Sequence, residues 1–411
     1  MNKILSLIVL FFVGLISFAQ NKPNAGLIIP KGFTAVKLVE GYGKVRHIAI
    51  TKQGDIYVKL NKLFQGKGIL YFKKESSQKY ILANSFGNYK GTGIYIKDNY
   101  LYTSSDEEVF RYHLNEKGEV INTNNPEKIV TGLPNKGEHE SKSIVLDNNG
   151  NIYVNIGAYS NSCQERDREK GSMGLSPCPV LEEAGGIWQF KADKNNQTEK
   201  SGIRYATGLR NVVGLDWNTQ TNSLFVMQHG RDQLHDLFPD LYDTKQSAEL
   251  PSECMYELPK GTNCGWPYIY YDHLVNKKIM APEYGGDGKK STNDYQNPAI
   301  AFPGHLAPNG LLFYTGNKFP SKYKNGAFIA FHGSWNRAPL PQEGYYVVFV
   351  PFVNGKPTGQ REVFSNGFAG AVKTPHGAAH RPCGLAQDSD GALYVTDDTN
   401  GAIFKIDYTG K

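Results

Sequence analysis

The amino-acid sequence predicts an all-β protein, from its composition and from a repeated pattern. The chain contains 44 Gly, 25 Tyr and 21 Phe, and short runs of Val, Ile and Tyr are typical of strands. A turn rich in Gly, Asn or Asp, followed by an alternating apolar run, occurs six times. This pattern favours a tight turn that leads into a half-buried strand. The copies begin at Lys52, Lys97, Asn148, Gln220, Tyr323 and Asp388.

The spacing of the six copies predicts a single six-bladed β-propeller over residues 20–411. Each copy occupies about 65 residues, longer than the ~40–45 residues of a typical blade repeat. The excess falls in residues 160–183 and 231–305, which are polar and contain cysteines. We expect them to form long, disulfide-bearing loops on one face. A β-sandwich is the alternative, but six similar units are hard to fit into two sheets.

The two ends of the chain also carry strand patterns. "GFTAVKLV" begins at Gly32, and "GAIFKIDY" begins at Gly401. Pairing of these segments within one blade would close the ring and remove its open edges.

Residues 1–19 have the pattern of a signal peptide. Lys3 is followed by the apolar run "ILSLIVLFFVGLI" and by Ser17-Phe18-Ala19, a small-residue cleavage site. The apolar run is too short for a membrane span. We therefore expect a mature chain that begins near Gln20, has no membrane span and is periplasmic or secreted.

Five cysteines in an exported chain indicate disulfides. The spacing predicts the pairs Cys163–Cys178 and Cys254–Cys264, and leaves Cys383 free and buried. Thiol metal binding is the weaker interpretation, because no C-x-x-C occurs. The sequence also lacks C-x-x-C-H, so no c-type haem is predicted.

His139 and Lys142 precede the strand of the third repeat, where a propeller side chain can point to the central axis. An imidazole at that position can act as a general base, because its ordinary pKa is close to neutral pH. A structural or surface histidine is the alternative.

Arginines recur near the strands of later repeats. Arg210 and Asn211 open the fourth repeat, Arg337 follows the strand of the fifth, and Arg381 opens the sixth. Guanidinium groups bind planar carboxylates through paired hydrogen bonds, so the pattern predicts a flat polycarboxylate ligand. The net charge of +6 is spread along the chain; it suits an anionic ligand or ordinary solubility, and we predict no nucleic-acid partner. Each arginine taken singly could instead form a surface ion pair.

Gly230 and Arg231 end the strand of the fourth repeat at a tight break, beside His229. Backbone carbonyls exposed there could bind a hard cation such as Ca²⁺. Trp266 and Trp335 could cover a planar ring, although buried core positions are the usual location of tryptophan.

These segments together resemble the soluble quinoprotein sugar dehydrogenases, which include the glucose, aldose and L-sorbosone dehydrogenase-like proteins. The similarity extends from about Leu27 to Ile406. Its most specific motifs are "GLRNVVGLDW", "QHGRD", "GTNCGWPY", "FHGSWNR" and "RPCGLAQDSDGALYVTDD". The resemblance implies a six-bladed propeller that binds pyrroloquinoline quinone (PQQ) and Ca²⁺.

The resemblance also implies a role for each candidate residue. His139 matches the catalytic base, and Gly230 and Arg231 match the calcium-binding carbonyls. The implied cofactor-binding residues are Arg210, Asn211, Arg337, Arg381, Lys142 and His229. His139 would take a proton from a sugar or sugar aldehyde during hydride transfer to PQQ. Electrons would pass to an external acceptor, either a cytochrome or a quinone.

Two other functions are compatible with a propeller. A calcium-dependent lactonase would need acidic side chains at the matching repeat positions, where few occur. A non-catalytic propeller that binds glycans or proteins would use the same face.

Overall fold

The computed structural model describes residues 22–410, and the predicted signal peptide lies outside them. The fold is all-β, as predicted. Its principal elements are six mainly antiparallel sheets that follow one another along the chain. We number them sheet 1 to sheet 6. Within residues 22–410, no helix is both long and apolar enough to cross a membrane.

Each of the first three sheets contains four antiparallel strands. Sheet 1 consists of Val45–Ile50, Ile56–Phe64, Lys67–Lys74 and Tyr80–Phe86. Sheet 2 consists of Ile94–Lys97, Tyr100–Ser104, Val109–His113 and Glu127–Thr131, and sheet 3 of Ile144–Leu146, Asn151–Ile156, Gly186–Lys191 and Ile203–Thr207. A short parallel strand extends the outer edge of sheet 2 (Gln197–Thr198) and of sheet 3 (Thr262–Asn263).

The last three sheets have the same order. Sheet 4 consists of Val212–Asn218, Ser223–Gln228, Glu253–Leu258 and Ile300–Phe302, and sheet 5 of Pro308–Phe313, Ala327–Phe331, Tyr346–Val350 and Glu362–Ser365. Sheet 6 consists of Pro382–Gln387, Leu393–Asp397, Ile403–Tyr408 and the N-terminal strand Phe33–Val39.

The first strands of the six sheets form a closed ring. Each contacts the first strand of the next sheet, and that of sheet 6 contacts that of sheet 1. All six contribute to the wall of an axial cavity of about 260 Å³. Any group at the start of a first strand therefore lies close to one common axis.

The predicted pairing of the two chain ends is present in sheet 6. Phe33–Val39 runs antiparallel to Ile403–Tyr408, with Phe33 opposite Tyr408. The ring of Phe33 packs edge-on against Phe364 of sheet 5, with centroids 5.1 Å apart. The N-terminal strand thus joins sheet 6 through backbone hydrogen bonds and sheet 5 through aromatic packing.

The six repeated segments supply the second strand of each sheet. In sheet 3, Asp147 Oδ1 accepts hydrogen bonds from the backbone N–H groups of Asn149 and Asn151, at 2.8 and 2.9 Å. Asp388 in sheet 6 accepts similarly from Ala392, at 2.9 Å. Aspartate fixes these turns because its carboxylate satisfies the backbone donors that the turn leaves unpaired.

The largest connections carry the remaining regular elements. The segment between the second and third strands of sheet 4 holds two short helices, Leu234–Leu237 and Thr244–Glu249. The following connection contains the small sheet Ile269–Asp272, Lys277–Met280 and Ser291–Thr292. A two-stranded hairpin consists of Phe352–Val353 and Lys356–Pro357. The 3₁₀ segments are Pro23–Gly26, Pro179–Glu182, Glu199–Ser201, Pro282–Tyr284 and Ser321–Tyr323.

The cysteines agree with the prediction only in part. Cys163 and Cys178 form the predicted disulfide, and Cys383 is free and buried. The predicted pair Cys254–Cys264 is wrong, because both are free, buried thiols. Cys254 lies within the third strand of sheet 4, whereas the backbone N–H of Cys264 is bonded to Thr207 of sheet 3. The two cysteines are thus close in the sequence, but their backbones are bonded to different sheets.

Candidate active site

The candidate site lies at the end of the ring where first strands start and second strands end. These two points lie at the same end of each sheet because the strands are antiparallel. We call this the site end. The side chains described below come from the segments immediately before first strands and immediately after second strands of several sheets.

Arg210 is the most extensively bonded side chain at the site end. Its Nη1 donates to the carbonyl of Gly230 at 2.9 Å, and its Nη2 donates to Asp232 Oδ2 at 2.9 Å. Its Nε and Nη2 also donate to the carbonyl and side-chain oxygens of Asn161, at 3.2 and 3.1 Å. Arg210 therefore ties together the disulfide-bearing loop and the turn after the second strand of sheet 4.

Asp232 is the acidic partner of this arginine, and the sequence analysis did not single it out. The carboxylate lies 3.5 Å from Arg168 and 3.7 Å from His305, and it accepts from Asn336 Nδ2 at 3.0 Å. Burial alone would raise its pKa, but Arg210, His305 and Arg168 hold the pKa of Asp232 well below its usual value. The group is therefore a permanent anion at neutral pH.

His139 lies beside Arg210, on a backbone with φ of 52°. Its Nδ1 is hydrogen-bonded to the carbonyl of Ala158; a carbonyl only accepts, so Nδ1 carries the proton and Nε2 has a free lone pair. Burial and the charge of Arg210 lower the pKa of His139 to about 3. The imidazole is therefore neutral at physiological pH and able to accept a proton on Nε2.

Gly157 makes room for this histidine. A Cβ atom at Gly157 would lie 2.6 Å from His139 Cβ and 2.9 Å from Asn211 Oδ1, closer than real Cβ contacts. Only glycine at this position lets His139 and Asn211 approach the end of the second strand of sheet 3.

Asn211 and His229 lie side by side at the site end of sheet 4. The carbonyl of Asn211 accepts from the backbone N–H of His229 at 3.0 Å, and Asn211 Oδ1 accepts from Asn155 Nδ2 at 3.4 Å. His229 Nε2 is bonded to the carbonyl of Pro308 at 3.3 Å. Burial and Arg210 lower the pKa of His229 to about 3, so this imidazole is also neutral.

Arg381 lies on the opposite side of the ring, among groups that the sequence analysis did not single out. Its Nε and Nη2 donate to the carbonyls of His332 and Gly333, at 3.1 and 2.7 Å. His332 is hydrogen-bonded through Nε2 to Asp398, and Arg46 Nε lies 3.1 Å from the same carboxylate. No hydrogen bond to residues 22–410 involves Nη1 of Arg381, which leaves those N–H groups for a ligand.

The two halves of the site end are close enough to interact. A charge on His332 lowers the pKa of His229, together with burial and Arg210. Burial on its own would raise the pKa of Asp398, but His332 and Arg46 hold it low. Guanidinium groups and imidazoles from sheets 1, 4, 5 and 6 therefore surround two carboxylates, and the N–H groups of Arg381 Nη1 are the donors left for an anionic ligand.

Arg337 is not part of this cluster, contrary to the expectation that all three arginines converge. Its Nη1 donates to the carbonyls of Ala248 and Gly304, at 2.8 and 2.9 Å, and its Nη2 donates to Glu249 at 2.6 Å. The side chain is buried behind the short helix Thr244–Glu249 because its protein partners lie there.

Arg231 and Lys142 also direct their side chains toward protein partners. Arg231 forms a fully buried ion pair with Glu283 at 2.6 Å. Lys142 is buried and donates to the carbonyl of Glu140 at 2.8 Å. Burial lowers the pKa of Lys142 to about 8. Of the two tryptophans, Trp266 is buried in the core, whereas Trp335 is 61% exposed.

The residues present fit a planar polycarboxylate better than a metal ion alone. The N–H groups on Nη1 of Arg381 have no protein hydrogen-bond partner within residues 22–410, so they can donate to a carboxylate of a ligand. No cluster of three His, Cys, Asp or Glu side chains that could hold a metal occurs in the described part of the chain. A bound Ca²⁺ would depend on backbone carbonyls and on ligand oxygens, which are donors of the type that calcium accepts. The carbonyl of Gly230 already accepts from Arg210, which leaves it one lone pair.

The missed acidic and imidazole groups follow a rule that the repeats already contained. His332 and Asp398 each come directly after the second strand of a sheet, as the predicted His229 does. Asp232 follows three residues after His229, within the motif "QHGRD". Reading the end of each repeat, as well as its start, would have identified them.

A closed ring of β-sheets, with their first strands around one axis, is the architecture of a β-propeller. The TrAA12-like family model matches residues 27–409, and the chain belongs to this family. The resemblance noted in the sequence is thereby confirmed.

The individual relatives have low sequence identity to this chain. An uncharacterized protein of Borreliella burgdorferi is 28% identical over 97% of this chain and 95% of its own length. The pyrroloquinoline quinone-dependent pyranose dehydrogenase of Coprinopsis cinerea is 22% identical over 94% of this chain. This chain spans only 55% of that protein.

The fold is shared with a solved calcium structure of a Trichoderma reesei enzyme of carbohydrate-active family AA12. The two have a TM-score of 0.74 at 18% identity, over 93% of this chain and 97% of that one.

Proposed function

We propose that this protein is an exported quinoprotein oxidoreductase that oxidises a sugar or sugar aldehyde with PQQ and Ca²⁺. PQQ would supply a two-electron acceptor, and Ca²⁺ would supply Lewis acidity. Membership of the TrAA12-like family supports this function, as do the N–H groups of Arg381 that have no partner in the described part of the chain at the site end.

One observation carries the catalytic proposal: His139 presents an unprotonated Nε2 at the site end. The Ala158 carbonyl fixes the tautomer, and burial keeps the ring neutral. His139 would act as the general base by accepting the proton of a substrate hydroxyl at Nε2. The nearby Asp232 anion would then stabilise the imidazolium, since its charge favours protonation of this histidine.

The cofactor would be held by a subset of the predicted residues. Arg381 has free N–H donors, and Asn211 and His229 flank His139 at the site end. Arg210 would act mainly by fixing the loops, because four of its hydrogen bonds go to protein atoms. We leave Arg337 out of the site. Lys142 is kept only as a residue close to the site, because its side chain donates to the carbonyl of Glu140 rather than toward a ligand.

Calcium would be held by backbone carbonyls of the turn at residues 229–232 together with oxygens of the cofactor. Gly230 and Arg231 keep the role that the resemblance implies for them, through their carbonyl groups. The Arg231 side chain contributes indirectly, because its ion pair with Glu283 anchors the turn.

The finer description of the fold belongs to the same proposal. We take the six sheets as the blades of a six-bladed propeller with the long loops on its site end. Export to the periplasm or beyond is supported by the Cys163–Cys178 disulfide, since such bonds persist in oxidising compartments. Electrons would leave to an external acceptor. A calcium lactonase is less favoured, because no three-acid cluster is found within residues 22–410.

Reconstitution tests the proposal. Purified protein would be mixed with PQQ and Ca²⁺, and cofactor uptake would be measured by absorbance after gel filtration. Reduction of a dye would then be followed with aldoses and with sorbosone. We expect stoichiometric uptake and sugar-dependent reduction. Failure to take up PQQ in the presence of Ca²⁺ would overturn the proposal, whereas uptake without turnover on any sugar would overturn the enzymatic part.

A further inference from the structure

A second cavity adjoins the candidate active site on the side of Asp232. It has a volume of about 230 Å³ and is lined mainly by the helix-bearing loop between the second and third strands of sheet 4 and by the loop after the second strand of sheet 5. This is smaller than the roughly 300–1,000 Å³ of pockets for drug-sized ligands. Its lining residues include Gln233, His235, Asp236, His305, Trp335 and Asn336.

The wall of this cavity combines one aromatic ring with unpaired polar atoms. Trp335 lines the cavity and is 61% exposed, so its indole is accessible to a ligand. His235 bonds the carbonyl of Tyr242 through Nδ1, at 2.7 Å, which leaves its Nε2 as an acceptor. Gln233 uses its Oε1 for Arg168, at 2.8 Å, which leaves its amide N–H groups as donors.

An orphaned oxygen connects the cavity to the active site. Asn336 donates from Nδ2 to Asp232 Oδ1 at 3.0 Å, but its buried Oδ1 has no hydrogen-bond partner. A buried acceptor without a partner costs about 1–3 kcal/mol. A ligand hydroxyl that donates to this oxygen would remove that cost. Only the Asn336 side chain would then separate the ligand from the Arg210–Asp232 ion pair.

We propose that this cavity is a sugar-ring subsite that binds one pyranose ring against Trp335. The C–H face of a pyranose packs on an indole, while its hydroxyls both donate and accept. They can donate to Asn336 Oδ1, His235 Nε2 and the exposed carboxylate of Asp236, and accept from the Gln233 amide. This inference rests on the proposed sugar oxidation, because it assigns the recognition of that substrate to a specific surface.

Sugar binding can be measured without the cofactor. Quinone-free protein would be titrated with methyl β-D-glucopyranoside by isothermal titration calorimetry, whose heat signal does not depend on Trp335, with acyclic D-sorbitol as the ringless control. We expect a saturable change with the glycoside alone, lost in Trp335→Ala and retained in part in Trp335→Phe. Asp236→Asn should weaken the glycoside's apparent affinity. Val353→Ala, at a remote exposed position, should bind as the wild type does.

The loaded enzyme supplies a second readout. Trp335→Ala should raise KM for pyranoses by about tenfold, the size expected for one lost stacking contact, with PQQ uptake unchanged. An unchanged KM, or an equal heat of binding for sorbitol, would overturn the subsite. If no PQQ is taken up, the proposed function fails, but the glycoside titration still decides whether this cavity binds sugar.

Discussion

Arg210 and Asp232 form a buried ion pair at 2.9 Å that closes the turn at the site end of sheet 4. The pair brings the disulfide-bearing loop, the proposed calcium turn and His139 into one network. Breaking it should therefore affect stability and cofactor binding together.

Asp232→Asn should lower the free energy of unfolding by about 3–5 kcal/mol, since the substitution leaves Arg210 buried without its counter-charge. Urea unfolding of the quinone-free protein measures this. Asp240→Asn, at an exposed position in the same loop, is the matched control and should be nearly neutral. Equal stability of the two variants would show that the ion pair contributes nothing.

His139→Asn should retain PQQ uptake and reduce kcat by about 100-fold or more, because asparagine cannot accept the substrate proton. Asparagine is suitable because it tolerates the positive φ of this position. His113→Asn, on the exposed face of sheet 2, should leave kcat unchanged. A His139→Asn enzyme with wild-type kcat would exclude this residue as the base.

Arg381→Lys and Arg337→Lys should have opposite effects. The first removes the planar donor at the site end and should raise the Kd for PQQ by about tenfold. The second should leave PQQ binding unchanged and lower unfolding free energy by about 1–3 kcal/mol, because buried carbonyls lose a partner. Cofactor titration and urea unfolding of both variants distinguish these roles. Weaker PQQ binding by Arg337→Lys would restore Arg337 to the site.

Thiol counting checks the cysteine assignment. Alkylation of the denatured, unreduced protein should modify three cysteines, which are Cys254, Cys264 and Cys383. Prior reduction should expose two more, from Cys163 and Cys178. Modification of a single thiol before reduction would mean that Cys254 and Cys264 are in fact paired.

Lowering the pH from 7 to 5 should destabilise the quinone-free protein. Burial lowers the pKa of His47 to about 4, and those of His139 and His229 to about 3, whereas an unfolded histidine titrates near 6.5. The unfolded chain then binds more protons, so stability present above about pH 6.5 is lost as the pH falls. Three groups act in the opposite direction, namely His305 with its raised pKa, and Asp216 and Glu253, whose pKa values burial raises to about 7. The lowered pKa values of His273 and His332 add to the loss, so five histidines oppose these three groups. Chemical denaturation at several pH values measures the slope, and a constant midpoint would contradict this account.

The fold was largely predictable from the sequence, because the turn and the strand of each repeat are determined by neighbouring residues. Each hairpin contains both the Asp and Gly residues that favour its turn and the alternating apolar residues that form its strand. The closure by Phe33–Val39 was also predictable, because both chain ends carry strand patterns that need a partner.

The site was predicted less completely, because it depends on which loops meet. His139, Arg210, Asn211, His229 and Arg381 do lie at the site end. Arg337 follows the second strand of its sheet, yet Glu249 and two carbonyls hold it elsewhere. Glu249 and Ala248 lie 88 and 89 residues away in another loop, and Gly304 lies 33 residues away. Local spacing carries no information on such contacts.

Sheet 6 consists of strands from both ends of the chain, so it cannot be completed until residues 403–408 have been synthesised. Phe33–Val39 therefore lacks its partner strand until the end of translation, and the face that it buries in sheet 6 stays uncovered until then. Completion of the ring thus depends on one long-range strand pairing. A polypeptide truncated before Ile403 would leave a strand edge of sheet 6 unpaired and would expose the aromatic side chains that pack against Phe33. The same arrangement places residues 33 and 408 next to each other. The two chain ends could therefore be joined in a circular permutation of the protein.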